Sequence, residues 1–239
     1  MRIRLFTVPN LLTLMNLLCG ALAVAAAFMH NDLTLAFWLI VAGVAFDFMD
    51  GFFARMLRVS APIGVQLDSL ADMITSGLAP TAILYRMCLG GPALWWHGSS
   101  YVWLLVFVFA AFAALRLAKF NVDDTQTDEF CGLPTPAAAL LAASLGMLWQ
   151  RGEVVLPAEA TLAVALASAG LMIAPLRMFS LKFHGFAWRG NRLRYLFLAV
   201  CALSVICLRT YSIPLVVVLY IAVSAVRRMV CPQGAAAAK

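Results

Sequence analysis

The sequence predicts an all-α fold, a polytopic integral membrane helix bundle of about eight transmembrane helices. Three observations carry that expectation: hydrophobic residues make up 64% of the chain and charged residues 12%, mean hydropathy is +0.94, and the apolar runs approach the roughly 20 residues that cross a bilayer. Soluble domains carry about 25% charged residues, so this chain must be solvated mainly by lipid. Backbone polar groups in lipid have to be satisfied within the segment, which favours helices over strands for runs of this length.

Taken in order, the candidate spans are 11–29, 34–57, 63–87, 100–119, 134–150, 155–176, 194–209 and 212–230. The fifth is short, and a brief link, Leu208-Arg-Thr-Tyr-Ser212, separates the last two, so the range is six to eight. The basic start, Met1-Arg-Ile-Arg, runs into the first span with no evident cleavage boundary, and that span is expected to be retained. Residues 1–239 then form a single membrane domain, with 150–239 contributing C-terminal transmembrane helices.

Charge placement supports the count, because cytoplasmic loops are enriched in Lys and Arg. With eight spans and an inner N-terminus, 14 cations fall inside and three, Arg86, Arg151 and Arg209, fall outside. Both termini are therefore expected in the cytoplasm. The net charge of +6 is dispersed in short clusters between apolar runs, which suits an anionic membrane surface and argues against nucleic acid as a partner. The six cysteines show no paired metal spacing, and Cys19, Cys201 and Cys207 lie in apolar stretches as small hydrophobes. The outer loop Gly90–Ser100 reads as an interfacial turn with aromatic anchors.

Span two ends in Asp47-Phe-Met-Asp50-Gly51-Phe-Phe-Ala54-Arg55, and span three begins Gly64-Val-Gln-Leu-Asp68-Ser-Leu-Ala-Asp72. On a helix, Asp47 and Asp50 are about 60° apart and Asp68 and Asp72 about 40° apart. Each helix thus presents two carboxylates along one stripe, and the short link bearing Pro62 makes the helices antiparallel neighbours. Four such charges repel one another in a low-dielectric setting, and intramembrane acids are functional by default. Oxygen ligands without His or Cys suit a hard divalent ion, Mg²⁺ or Mn²⁺, rather than Zn²⁺. Magnesium sites commonly complete themselves with substrate phosphates, and Arg55 is placed to contact phosphate oxygens. Gly51, Ala54 and Gly64 leave room for close approach, while Met49, Phe52 and Phe53 read as packing residues. A cation transporter is the alternative from another class; it would place acids near mid-bilayer in two related halves, whereas these gather at one end and no internal repeat is evident.

The string Asp47-x-x-Asp50-Gly51-x-x-Ala54-Arg55-x8-Gly64-x3-Asp68-x3-Asp72 resembles, at each fixed position, the signature of the CDP-alcohol phosphatidyltransferase family. The resemblance implies a helical membrane enzyme, commonly a homodimer, that moves a phosphatidyl group from a CDP-linked lipid to an alcohol and releases CMP. It implies that Asp47, Asp50, Asp68 and Asp72 hold a divalent pair, and that Asp72 also takes the acceptor hydroxyl proton. Gly51, Ala54, Arg55 and Gly64 would line the cytidine diphosphate pocket. The segment Pro9-Asn10-Leu-Leu-Thr13-x-x-Asn16 resembles the family's first span and brings Asn10 and Thr13 toward the nucleotide; a Pro-Asn helix entry with Thr bonding back to its own helix explains it equally. Ser60 is the nearby hydroxyl before Gly64.

Further stretches, Leu67–Asp72, Ser76–Pro80, Arg116–Asn121 and Phe130–Pro136, resemble the serine-using branch, the phosphatidylserine synthases, and extend the likeness over a catalytic core at about 5–145. CDP-diacylglycerol and L-serine are then the expected substrates. Arg116 and Lys119, three residues apart on span four, would take the serine carboxylate, and Asn121, Asp123 or Asp124 the ammonium; ordinary positive-inside anchoring explains the two cations as well. Glycerol 3-phosphate, inositol phosphate or choline is the alternative acceptor. A phosphate-bearing acceptor calls for a concentrated cationic pocket, and the inner loop here mixes acids with bases. The expected location is the cell (inner) membrane, with the active site facing the cytoplasm.

Overall fold

The computed structural model describes residues 6–57, 62–122, 130–178, 200, 201, 203, 204 and 206–230. Helix α1, Val8–Ala25, continues through a π turn at Ala26–His30 and is followed by α2, Leu33–Met56. Helix α3, Pro62–Asp72, passes through a second π turn, Met73–Leu78, into α4, Ala79–Gly90. A 3₁₀ segment, Ser100–Phe107, leads into α5, Val108–Val122; α6 is Thr135–Gln150 and α7 is Ala158–Ile173. The last helix, Ser212–Val230, follows a 3₁₀ turn at Arg209–Tyr211. The expected spans coincide with these elements, and of the seventh, 194–209, half lies outside the described residues.

Local chemistry sets the helix starts. The Thr7 hydroxyl caps α1 by accepting the Asn10 N–H at 3.3 Å, with Pro9 in the first turn where no helical N–H is needed. Asp32 caps α2 by accepting the Leu35 N–H at 2.8 Å. Between these helices Asn31 takes φ 51°, the left-handed conformation that asparagine tolerates. Gly132, at φ +82°, is required on space as well: a β-carbon there would stand 2.1 Å from the Met172 carbonyl oxygen. That close passage brings strand β1, Phe130–Cys131, into a short antiparallel pair with β2, Arg177–Met178.

Among the described residues, three helices, Val8–His30, Leu33–Met56 and Ser100–Val122, are long and apolar enough to cross a membrane, and Ala158–Ile173 and Ser212–Ser224 are shorter apolar helices. The interior is filled by Phe37, Ile40, Ile83, Met87, Phe109 and Met147, while Leu22, Trp38 and Phe48 are exposed. Such an apolar exterior is a liability in water and an ordinary surface in lipid. Lipid supplies no hydrophobic drive between helices, so close packing must hold them. A β-carbon on Gly20 of α1 would lie 2.7 Å from the Thr75 Cα, and one on Gly43 of α2 would lie 2.6 Å from the Thr75 Cγ2. Small residues on two helices thus seat the π turn that follows α3. Met49 and Phe52, read as packing residues, are exposed: they lie off the stripe that carries Asp47 and Asp50, and Phe52 packs edge-on against Phe53.

The chain reverses direction at each connection, so the ends of α2, α5 and α7 and the starts of α3 and α6 gather at one rim. The opposite rim is tied by side chains. Asn31 Oδ1 accepts from Arg86 Nε at 3.0 Å and Nη2 at 2.7 Å; Gln150 donates to the Asn31 carbonyl at 2.6 Å and accepts the Thr34 N–H at 2.8 Å. The Glu159 carboxylate accepts the N–H groups of Leu94, Trp95 and Trp96 at 3.0–3.1 Å, which anchors the aromatic loop.

Candidate active site at one rim of the bundle

The last three turns of α2 carry Asp47 and Asp50, and the last two turns of α3 carry Asp68 and Asp72. Because α1 packs against both helices, the two stripes face a common space. One carboxylate oxygen from each of Asp47, Asp50 and Asp68 falls within 4.8 Å of the others. Asp72 stands beside this triangle, where its Oδ1 accepts from Asn16 Nδ2 of α1 at 3.1 Å.

Several buried groups around the triangle are held, and others are left open. The Thr13 hydroxyl lies 2.5 Å from Asp50 Oδ2 and 3.0 Å from the Pro9 carbonyl oxygen; with one proton to give, it serves one acceptor at a time. Asp68 Oδ1, Asn16 Oδ1, Ser76 Oγ and Arg116 Nε are buried without a hydrogen-bond partner among the described residues. A carboxylate oxygen buried and unpaired beside two further carboxylates is costly. A divalent ion ligated by oxygen resolves that cost, so the donor set fits Mg²⁺ or Mn²⁺.

Arg116 reaches the site from α5. Its Nη1 donates to the Thr135 hydroxyl at 2.7 Å, at the start of α6, and its charge acts on Asp72 and on the Tyr220 phenol of the last helix. Lys119, one turn further along α5, is exposed, whereas Arg116 is partly buried. Asn121 donates to Ser69 Oγ at 2.7 Å, next to Asp68. Arg55 is exposed on the final turn of α2. A β-carbon on Gly51 would meet Arg55 Nη1 at 3.9 Å, and one on Gly64 would meet Asn10 Oδ1 at 3.4 Å, so both glycines border space near the carboxylates. Asn10 and Thr13 are buried on α1, and Ala54 is partly buried. Ser60, Asp123 and Asp124 lie outside the described residues.

Three residues joined the site without having been singled out for it: Asn16, Thr135 and Tyr220. An asparagine inside an apolar span is itself a signal, whereas nothing in the local sequence marks Tyr220.

Fold and site together define a helical integral membrane protein with a carboxylate centre suited to a cation at one rim. The pattern of the CDP-alcohol phosphatidyltransferase family matches residues 6–178, a stretch that takes in α1 through α7, and the chain belongs to that family. Three relatives bear the name CDP-diacylglycerol–serine O-phosphatidyltransferase. The Bacillus subtilis protein is 32% identical over 134 residues, covering 56% of this chain and 71% of the relative. The Helicobacter pylori protein is 33% identical over 139 residues, covering 57% and 56%. The Methanocaldococcus jannaschii protein is 32% identical over 138 residues, covering 58% and 59%. The match thus spans from just over half to about seven tenths of these relatives' lengths.

Proposed function

We propose that the chain transfers the phosphatidyl group of CDP-diacylglycerol to L-serine, forming phosphatidylserine and CMP. Arg116 carries this reading: a guanidinium beside Asp72 with an unpartnered Nε suits the carboxylate of an amino-acid acceptor at the same rim as the acidic triangle. The names of the relatives point the same way.

In this reading Asp47, Asp50 and Asp68 hold a divalent ion, Mg²⁺ or Mn²⁺, and Asp72 completes the place of a second. Bound there, the ions would offset the charge of the diphosphate and of the departing CMP. Arg55 contacts phosphate oxygens. Asn10, Thr13, Gly51, Ala54, Ser60 and Gly64 contribute to the CDP-lipid pocket. Arg116 grips the serine carboxylate with Thr135 steadying it, and Lys119 and Asn121 are the outer candidates for serine contact. Asp72 receives the serine hydroxyl proton as that oxygen bonds to the lipid-side phosphorus and the bond to the CMP oxygen breaks. No covalent enzyme intermediate is required. The acyl chains stay in the bilayer, so chemistry at a rim lets soluble serine and CMP exchange with the aqueous phase. The cation-rich loops on that side support a cytoplasmic rim, and the reading takes the cell (inner) membrane as the location and a homodimer as the assembly.

The test is CMP release by purified protein supplied with CDP-diacylglycerol and Mn²⁺ or Mg²⁺, comparing serine, glycerol 3-phosphate, inositol phosphate and choline. Serine-dependent release abolished by EDTA and by Asp72→Asn is expected. Release with a different alcohol would remove serine and keep the family chemistry; absence of metal-dependent release with every alcohol would overturn the reading.

A further inference from the structure

Asn16 is fully buried in α1, at 0% exposure, among apolar side chains where an amide is expensive unless it is used. Its Nδ2 donates to Asp72 Oδ1 at 3.1 Å; only the NH₂ end can face a carboxylate in this way. Its backbone carbonyl accepts the Thr75 hydroxyl at 2.9 Å, so the same turn of α1 is clamped both to Asp72 and to the π turn three residues beyond it. Its Oδ1 has no partner and lies 2.9 Å from where a Gly43 β-carbon would stand. For packing alone, leucine at position 16 would fill similar space and leave no orphaned oxygen. The arrangement is intelligible if the residue is kept for the one bond that it makes to a carboxylate.

We propose that Asn16 is a positioning residue that orients Asp72, with Thr75 fixing Asn16 and Gly43 leaving it room. Occupying Oδ1 leaves Oδ2 as the oxygen of Asp72 that faces chemistry, and it keeps this carboxylate apart from the triangle of Asp47, Asp50 and Asp68. The role assigned to Asp72 rests on the proposed transfer reaction; the contact itself does not.

Two measurements separate those dependencies. In unfolding titrations without metal, the double-mutant cycle of Asn16→Leu and Asp72→Ala is expected to show coupling of about tenfold in the unfolding constant. Absence of coupling would overturn the proposal whatever the protein catalyses. In CMP release, with whichever alcohol serves the wild type, Asn16→Leu is expected to lower kcat about 10- to 100-fold, with KM for CDP-diacylglycerol and for the alcohol changed by less than about twofold. Mn²⁺ affinity, read by electron paramagnetic resonance, should move less than kcat does, because Asn16 bonds Asp72 and none of the three carboxylates of the triangle. A raised KM for CDP-diacylglycerol at unchanged kcat would make Asn16 a lipid contact instead, and unchanged kinetics would leave it a packing residue. Should Asn16→Leu fail to fold, Thr75→Val decides: a fall in kcat at constant KM supports the proposal, and unchanged kcat overturns it. If coupling is present but no alcohol supports CMP release in the wild type, the reaction is wrong and the contact stands.

Discussion

Replacing Thr13 by valine keeps the branched shape and removes one proton. Thr13 and Asp50 are 3% and 6% exposed, so neither has bulk water to fall back on. If the hydroxyl donates to Asp50 Oδ2, at 2.5 Å, the bond is charge-assisted and contributes about 1.5–3 kcal/mol. If it donates instead to the Pro9 carbonyl, at 3.0 Å, it adds a weak bond within its own helix and nothing to the tie between α1 and α2. A double-mutant cycle of Thr13→Val and Asp50→Ala distinguishes the two, because only the first arrangement couples the residues. The assay is equilibrium unfolding by dodecyl sulfate in mixed micelles with EDTA present, so that metal binding does not mask the bond. We expect a coupling of about 1.5–3 kcal/mol, or roughly 10- to 150-fold in the unfolding constant. A coupling under about 0.5 kcal/mol would place the proton on Pro9 and refute the assignment of Thr13 as a support of the acidic triangle.

Other expectations follow from the same geometry. Asp68→Asn should weaken Mn²⁺ binding by at least about tenfold in a resonance titration, since it alters a member of the triangle directly rather than through a neighbour. Arg116→Lys loses the planar fork that bonds Thr135, and should raise KM for serine about tenfold while KM for CDP-diacylglycerol shifts less than about twofold. Gly20→Ala must push α1 away from the Thr75 backbone, with a stability loss of about 1–3 kcal/mol and a lower melting temperature in detergent. Glu159→Ala should speed amide exchange at Leu94, Trp95 and Trp96 and leave CMP release unchanged, because that loop lies at the rim opposite the chemistry.

The acidic centre was legible because helical spacing is short-range information: three and four residues put each pair on one face, and a short link makes the two helices neighbours. The helical class was legible for a similar reason, since lipid leaves the backbone few alternatives. Arg116 was legible as a candidate, but its deeper burial than Lys119 was not, because burial at a helix end depends on what packs against it. Tyr220 enters from a helix more than 140 residues downstream of the triangle, and no local pattern encodes that approach. Asn16 was visible in the motif of the first span. Its partner was not, because a hydrogen bond between helices depends on the few ångströms of approach that Gly20 and Gly43 permit. Met49 and Phe52 show what the sequence leaves open: in a membrane, apolar character does not distinguish interior from exterior.

The π turn at Met73–Leu78 gives the third span two angular phases. Its closing bond, from the Ala79 N–H to the Ile74 carbonyl, reaches back five residues rather than four, and each residue of an α-helix advances about 100°. Upstream the phase is set by Asp68 and Asp72, which must look toward α1 and α2; downstream it is set by Ile83 and Met87, which must look into the core. The wider turn takes up about one residue more than an α-helix uses for the same rotation. Removing one residue between 73 and 78 would therefore let the helix close in the ordinary form with both faces near their present angles, whereas an extra residue within α3 or α4 would turn the carboxylate stripe about 100° away from the face that packs in the core.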